Sequence, residues 1–110
     1  MTERRSVKRI PVTFRASFGS SLAGLREGTV IEATMSGCCL QSHAPVPVNS
    51  YLELWIHTSS TARIFVEFAA VRWVMNGRCG IEFLGLQPED RAKLQELIEQ
   101  PSSTIQRQTT

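Results

Sequence analysis

The chain has 110 residues, of which 42% are hydrophobic and 20% are charged. This length predicts one domain, and the composition excludes a wholly disordered or collagen-like chain. The longest apolar run, residues 64–75, is interrupted by Glu67 and Arg72, so we expect no membrane-spanning helix. Because no apolar segment follows the charged N-terminus, we also expect no signal peptide and a cytoplasmic location.

The net charge of +2 is unevenly distributed, because five of the twelve basic residues lie within the first fifteen positions. These five residues are Arg4, Arg5, Lys8, Arg9 and Arg15. We interpret residues 1–9 as a flexible basic arm. One interpretation is a solvated terminus, and the other is an anion site, because guanidinium groups suit phosphate oxygens and guanine edges. So small a cluster gives little support for duplex DNA as a ligand, where many phosphates must be neutralised.

Alternating apolar residues predict a first strand over residues 10–18, with Ile10, Phe14 and Phe18 facing inwards. Pro11 marks an edge or the start of this strand, since proline cannot donate to a sheet. The glycines and serines between positions 19 and 28 predict a turn region. Further strands are predicted at residues 29–33, 38–42, 51–57, 64–75 and 79–84. The polar residues 58–61 and the Asn76-Gly77 pair predict hairpin turns.

The end of the chain changes to a helical period, with Leu94, Leu97 and Ile98 on one face. The helix is expected to begin at Pro88 and to end before Pro101. Glu89 and Asp90 in its first turn complement the positive end of the helix dipole. Residues 101–110 are polar and are predicted to form a disordered tail.

Six short strands and one terminal helix predict a small β-protein, a six-stranded antiparallel barrel with a C-terminal helix over residues 10–100. Closure of the barrel removes the exposed edges that an open sheet would leave. Trp55, Trp73 and the five phenylalanines are expected to pack in its core rather than to form a stacking platform for nucleic-acid bases.

Cys38, Cys39 and Cys79 are expected to be reduced, small hydrophobic residues. Adjacent residues on a strand point to opposite faces, and no Cys-x-x-Cys spacing is present. A metal or redox site, with His43 near Cys39, is the less favoured alternative. Because neither His43 nor His57 accompanies a carboxylate pair or a nucleophile motif, we expect no enzymatic activity.

The segment that precedes the first strand resembles the R-x-x-x-R sequence of the bacterial PilZ domain family, with Arg5 and Arg9 in the two arginine positions. Residues 32–37 are similar to the D/N-x-S-x-x-G turn of that family. Glu32 and Thr34 replace its first two marked residues, and Gly37 retains the third.

Residues 71–73 and 78–84 are similar to the closing hairpin of the same family, and the resemblance covers residues 3–100. It implies a PilZ-like barrel and a cytoplasmic receptor for the second messenger cyclic di-GMP, with the basic arm closing over the ligand. The ligand-binding residues that it implies are Arg4, Arg5, Arg9, Glu32, Thr34, Ser36 and Gly37.

The chemistry of these residues is compatible with this ligand, which carries two phosphates and two guanines. Arginine pairs with phosphate oxygens or with guanine O6 and N7. Glu32 offers an acceptor for guanine N1–H and N2–H, or is an ordinary exposed acid. Thr34 keeps the hydroxyl of the family serine, or is a plain strand residue. Gly37 supplies a positive φ, lets a backbone N–H approach the ligand, or is a bare turn glycine.

Three functional hypotheses follow from the sequence. The first is a cyclic di-GMP receptor whose ligand orders the arm for an unidentified protein partner. The second is a PilZ-like adaptor that binds no nucleotide and acts by protein contact, as the changes at Glu32 and Thr34 allow. The third and least favoured is a small-barrel nucleic-acid binder. None of them requires a metal, a cofactor or a membrane.

Overall fold

The computed structural model describes residues 8–20 and 24–99, so Arg4, Arg5 and the predicted C-terminal tail lie outside the described residues. Six strands and one helix follow in order along the chain. Their bounds are β1 Ile10–Ser20, β2 Gly24–Ala33, β3 Gly37–Gln41, β4 Tyr51–His57, β5 Arg63–Met75, β6 Arg78–Leu86 and α1 Pro88–Glu99.

The strands form a closed antiparallel barrel in the order β1-β2-β3-β6-β5-β4. This confirms the predicted six-stranded barrel with a C-terminal helix. Closure pairs the first strand with β4 as well as with β2, and it joins β3 to β6 across the long connection between them. Within the described residues, no helix is long and apolar enough to cross a membrane.

The first strand follows its predicted alternation. Ile10, Ala16 and Phe18 are buried in the core, and Val12 and Phe14 pack against it. The first half of β1 pairs with β2 only, since the pairing with β4 begins at Arg15. A proline at position 11 therefore leaves no β4 carbonyl without a donor, which explains why the sheet tolerates it.

The predicted turn region between positions 19 and 28 is wrong for most of its residues. Strands β1 and β2 stay paired as far as Ser20 and Gly24, and Gly28 lies inside β2. A Cβ atom on Gly28 would lie 2.7 Å from the carbonyl oxygen of Gln41 on the neighbouring strand. Glycine at position 28 is thus required for a close approach of two strands and not for a turn.

Two of the three predicted apolar residues of α1 are buried in the barrel core. Leu94 and Ile98 belong to the same hydrophobic cluster as the strand residues, and Leu97 packs against that cluster. The helix therefore attaches to the barrel mainly through β5 and buries its apolar face there, where hydrophobic burial stabilises its position.

The prediction that both tryptophans and all five phenylalanines pack in the core is wrong for four of these seven residues. Phe18 is buried, and Phe14 and Phe83 pack against the core. The other four, which lie outside that cluster, are Trp55, Phe65, Phe68 and Trp73. Trp55 alternates with inward-facing neighbours, and register shifts in β5 turn Phe68 and Trp73 outwards.

The first turn of α1 is fixed to the barrel by a side chain. Asp90 Oδ1 accepts a hydrogen bond of 3.0 Å from the backbone N–H of Phe65. Pairing between β5 and β6 begins one residue later, at Val66, so this N–H has no partner on β6. The Asp90 carboxylate therefore replaces a missing strand neighbour as well as complementing the helix dipole.

We predict that Asp90→Ala lowers the free energy of unfolding by about 1–3 kcal/mol, because it leaves a partly buried N–H without an acceptor. Asp90→Asn keeps a side-chain oxygen and should lose less. Urea denaturation followed by circular dichroism measures both, with the exposed neighbour Glu89→Ala as the control. Equal stability of the Asp90→Ala and Glu89→Ala proteins would contradict the anchoring role.

Candidate functional site

One surface cavity of about 260 Å³ brings together five of the seven predicted ligand-binding residues. These five are Arg9, Glu32, Thr34, Ser36 and Gly37. The remaining two, Arg4 and Arg5, lie outside the described residues. Sequence reasoning did not assign the other residues that line the cavity, which are Cys38, Cys39, Arg72, Trp73, Gly80, Ile81 and Glu82.

A row of paired residues across four strands forms the floor and walls of this cavity. Glu32 on β2 pairs with Cys39 on β3, Cys39 pairs with Gly80 on β6, and Gly80 pairs with Trp73 on β5. At the two middle positions of the row, Cys39 has a small side chain and Gly80 has none. The outer surface of the barrel is therefore lowest at Cys39, between the carboxylate of Glu32 and the indole of Trp73.

The indole of Trp73 lies directly over the backbone of Gly80. A Cβ atom on Gly80 would collide with the indole nitrogen and with the ring carbons beside it. The side chain is nevertheless 45% exposed, so it presents apolar ring surface to the cavity. Strand alternation suggested a core tryptophan, and the register shift between Val71 and Trp73 is what turns it outwards.

The turn that precedes β3 is built by the hydroxyl group of Thr34. Its Oγ1 accepts hydrogen bonds from the backbone N–H groups of Ser36, at 3.1 Å, and Gly37, at 3.0 Å. The same hydroxyl donates to the carbonyl of Gly37 at 3.2 Å. These bonds occupy the hydroxyl, so Thr34 shapes the wall of the cavity and has little capacity left to bind a ligand itself.

Gly37 serves neither of the two special roles expected of it. Its φ is not in the left-handed region, and its N–H donates to Thr34. A Cβ atom here would collide with the carbonyl oxygen of Ile81 on β6. Glycine is required at this position because β3 begins in close contact with the β6 backbone.

The charged side chains of the cavity form two ion pairs. Arg9 Nη1 lies 3.8 Å from Glu32 Oε1, and Arg72 Nε lies 2.6 Å from Glu82 Oε1. The charges of these four groups add to zero. The second pair was absent from the sequence prediction, since no short spacing relates Arg72 to Glu82. Both residues lie on the paired outer faces of β5 and β6.

The cysteines occupy two different environments. Cys38 and Cys79 are buried as expected, and burial raises the pKa of Cys79 to about 11. Cys39 lies on the floor of the cavity and is partly exposed, and partial burial raises its pKa, which nearby Arg78 partly offsets. All three thiols are therefore protonated at neutral pH. Among the described residues, no group of three His, Cys, Asp or Glu side chains lies close enough to hold a metal ion.

Several solved structures share this fold. The PilZ domain of YcgR from Escherichia coli with c-di-GMP has a TM-score of 0.74, with 12% identity over 96% of this chain and 97% of that chain. YcgR from Escherichia coli in complex with c-di-GMP has a TM-score of 0.78, with 12% identity over 96% of this chain and 49% of that chain. MotI/DgrA, the inhibitor of motility of Bacillus subtilis, has a TM-score of 0.72, with 15% identity over 96% of this chain and 52% of that chain.

At these identities the structural likeness establishes the fold alone. This chain spans about half the length of the MotI chain and of the longer YcgR chain. No curated protein sequence matches this chain. The sequence model of the PilZ domain, in contrast, matches residues 3–100. The match takes in the arm, all six strands and the helix, and the chain therefore belongs to the PilZ domain family.

Proposed function

We propose that this protein is a cytoplasmic cyclic di-GMP receptor that binds the nucleotide in the cavity on the outer face of β2, β3, β6 and β5. The observation that carries this proposal is the convergence of Arg9, Glu32 and the turn over residues 34–37 on one cavity. The family match and the c-di-GMP-bound PilZ domain of YcgR, which shares this fold, support the same ligand.

The chemical groups of the cavity are complementary to a guanine dinucleotide. Arg9 and Arg72 are guanidinium donors for phosphate oxygens or for guanine O6 and N7. The carboxylates of Glu32 and Glu82 accept from the N1–H and N2–H groups of guanine. The exposed indole of Trp73 offers a surface for stacking of a base, a contact that any π-face accepts.

The size and the charge of the cavity both require the basic arm. At about 260 Å³ the cavity is smaller than the ~300–1,000 Å³ of typical ligand pockets, so it covers only part of a dinucleotide. Its paired charges also cancel, and they exert little net attraction on two phosphates. In our proposal Arg4, Arg5 and Lys8 supply that attraction and cover the rest of the ligand.

Closure of the arm over the nucleotide would create a surface that the free protein lacks. We propose that an unidentified protein partner recognises this surface, which makes the domain an effector rather than an enzyme. Neither His43 nor His57 lines the cavity, so the proposed site contains no imidazole for general acid or base catalysis.

A nucleotide-free adaptor is the second candidate function, and one observation favours it. Both arginines of the cavity already have carboxylate partners, and these carboxylates compete with a phosphate for the guanidinium groups. Glu32 is also longer than the Asp or Asn of the family pattern. In this alternative the same surface binds a protein, and neither role involves nucleic acid.

Calorimetric titration with cyclic di-GMP tests the proposal, and GTP and a single-stranded oligonucleotide serve as competing ligands. We expect cyclic di-GMP alone to bind, and Arg9→Ala to weaken binding by about 1–3 kcal/mol through loss of a bidentate contact. Arg91→Ala, an exposed arginine on α1, is the matched control. Absence of binding to the wild-type protein would favour the adaptor, and binding that Arg9→Ala leaves unchanged would place the site elsewhere.

Tryptophan fluorescence locates the bound base, because the chain contains only Trp55 and Trp73. We expect cyclic di-GMP to change the emission of the Trp55→Phe protein and to leave that of the Trp73→Phe protein nearly unchanged. Trp73→Ala should cost about 1–3 kcal/mol in affinity, because it removes a stacking surface. A change of emission in the Trp73→Phe protein, with none in the Trp55→Phe protein, would exclude Trp73 as the surface on which the base stacks.

Substitutions at Glu32 distinguish a guanine acceptor from a counter-ion of Arg9. If Glu32 accepts from guanine, Glu32→Asp should tighten binding by restoring the shorter family side chain, and Glu32→Gln should weaken it by replacing one acceptor with a donor. If Glu32 only neutralises Arg9, Glu32→Gln should tighten binding instead. Calorimetry measures the sign, with Glu27→Gln on the same strand as the control.

A further inference from the structure

A second surface, on the outer face of β1, β4 and β5, carries side chains in three parallel rows. Strand register sets the first two rows, since Arg15 pairs with His57 and His57 with Arg63, while Ser17 pairs with Trp55 and Trp55 with Phe65. The third row lies where the register between β4 and β5 shifts. We call this surface the three-row face. Its basic row is Arg15, His57 and Arg63; its aromatic row is Ser17, Trp55 and Phe65; and its acidic row is Glu53 and Glu67, beside Gly19.

The two rings of the aromatic row are half-buried on the outer face of the barrel and lie outside its core. The rings of Trp55 and Phe65 stack with their centroids 4.7 Å apart and an interplanar angle of 23°. Neither residue packs in the hydrophobic cluster of the barrel interior. Tryptophan and phenylalanine are enriched in protein interfaces, because they bury a large apolar area and lose little conformational freedom.

Most charged side chains on either side of the aromatic row lack a partner of opposite charge in the described part of the chain. Among residues 8–20 and 24–99, Arg15, Arg63 and Glu53 take part in no ion pair. Glu67 accepts only from the neutral amide of Gln87, at 3.1 and 3.2 Å, which leaves its charge uncompensated.

We propose that the three-row face binds a second copy of this chain about a two-fold axis that runs along the aromatic row. This rotation places the basic row of each copy opposite the acidic row of the other copy. Arg63 then lies opposite Glu67 of the second copy, and His57 lies opposite its Glu53. The aromatic row meets itself at the centre, where apolar contact excludes water from the flanking ion pairs.

The charges also select this orientation over its alternative. A two-fold axis that lies in the contact plane of the two copies but runs parallel to the strands would place Arg15 of one copy against Arg63 of the other. Contact between like charges costs several kcal/mol in an interface. Of these two axes, only the one along the aromatic row places arginine opposite glutamate, at Arg63 and Glu67, whereas Arg15 lies opposite Gly19 and gains no partner.

The proposed dimer is weak, and it is separate from the nucleotide site. Three strands and five residues along each cover roughly 14 by 17 Å, well below the ~800 Å² that each partner buries in a standard interface. The cavity opens on β2, β3, β6 and the second half of β5, and none of its lining residues belongs to the three-row face. Self-association therefore does not depend on the proposed function.

Sedimentation velocity over a series from low micromolar to millimolar protein tests this proposal. We expect a reversible monomer–dimer equilibrium that shifts towards monomer as salt screens the ion pairs. Arg63→Glu and Glu67→Arg should each raise the dissociation constant at least about tenfold, because each places like charges together. The double exchange should restore association, since it rebuilds the pair in reverse.

Arg78→Glu is the control and should leave the dimer unchanged. Arg78 is an exposed residue beside the Asn76-Gly77 turn and lies outside the three-row face. Circular dichroism of each variant confirms folding, and rescue by the double exchange separates an interface effect from misfolding. A protein that stays monomeric up to millimolar concentration would overturn the proposal. A dimer that both single reversals leave intact would do the same.

Discussion

The pairing of β3 with β6 is the contact on which both barrel closure and the cavity depend. It joins strands that are separated along the chain by β4 and β5, and it is tight because Gly37 has no side chain to hold the carbonyl of Ile81 away. Without this pair the six strands would form one open sheet in the order β3-β2-β1-β4-β5-β6, with β3 and β6 as exposed edges. Glu32 on β2 and Trp73 on β5 would then lie near opposite edges of that sheet and would not face the same depression.

The centre of this cavity is low, and its charges are balanced. Cys39 and Gly80 are neighbours across the β3–β6 pair, the Cys39 side chain is small, and the indole of Trp73 lies over Gly80. The walls carry one arginine and one glutamate from each side, already paired. The cavity provides a depression and hydrogen-bonding groups but little net positive potential. In the proposed site, the arginines that precede β1 supply the missing positive charge.

Local sequence patterns were sufficient for the architecture and for part of the site. Alternation, β-propensity and turn signals together predicted all six strands, although β2 begins five residues earlier than expected, and the helical period identified Leu94 and Ile98 as buried residues of α1. The motif resemblance located Arg9, Glu32 and Gly37 at one cavity. The patterns failed where pairing between distant strands decides the outcome. The sequence predicts turn roles for Gly28 and Gly37, but each is dictated by the backbone of another strand, which is the adjacent β3 for Gly28 and the distant β6 for Gly37.

The same limit explains the errors along β5, which is the longest strand with 13 residues. Three register shifts against β6 interrupt its alternation, between Val66 and Phe68, between Phe68 and Ala69, and between Val71 and Trp73. Each shift changes which side chains point outwards. As a result one strand presents the charges of the three-row face from its first half and the ion pair and indole of the cavity from its second half. The two proposed surfaces therefore use different residues of the same strand, and each can be mutated without changing a residue of the other.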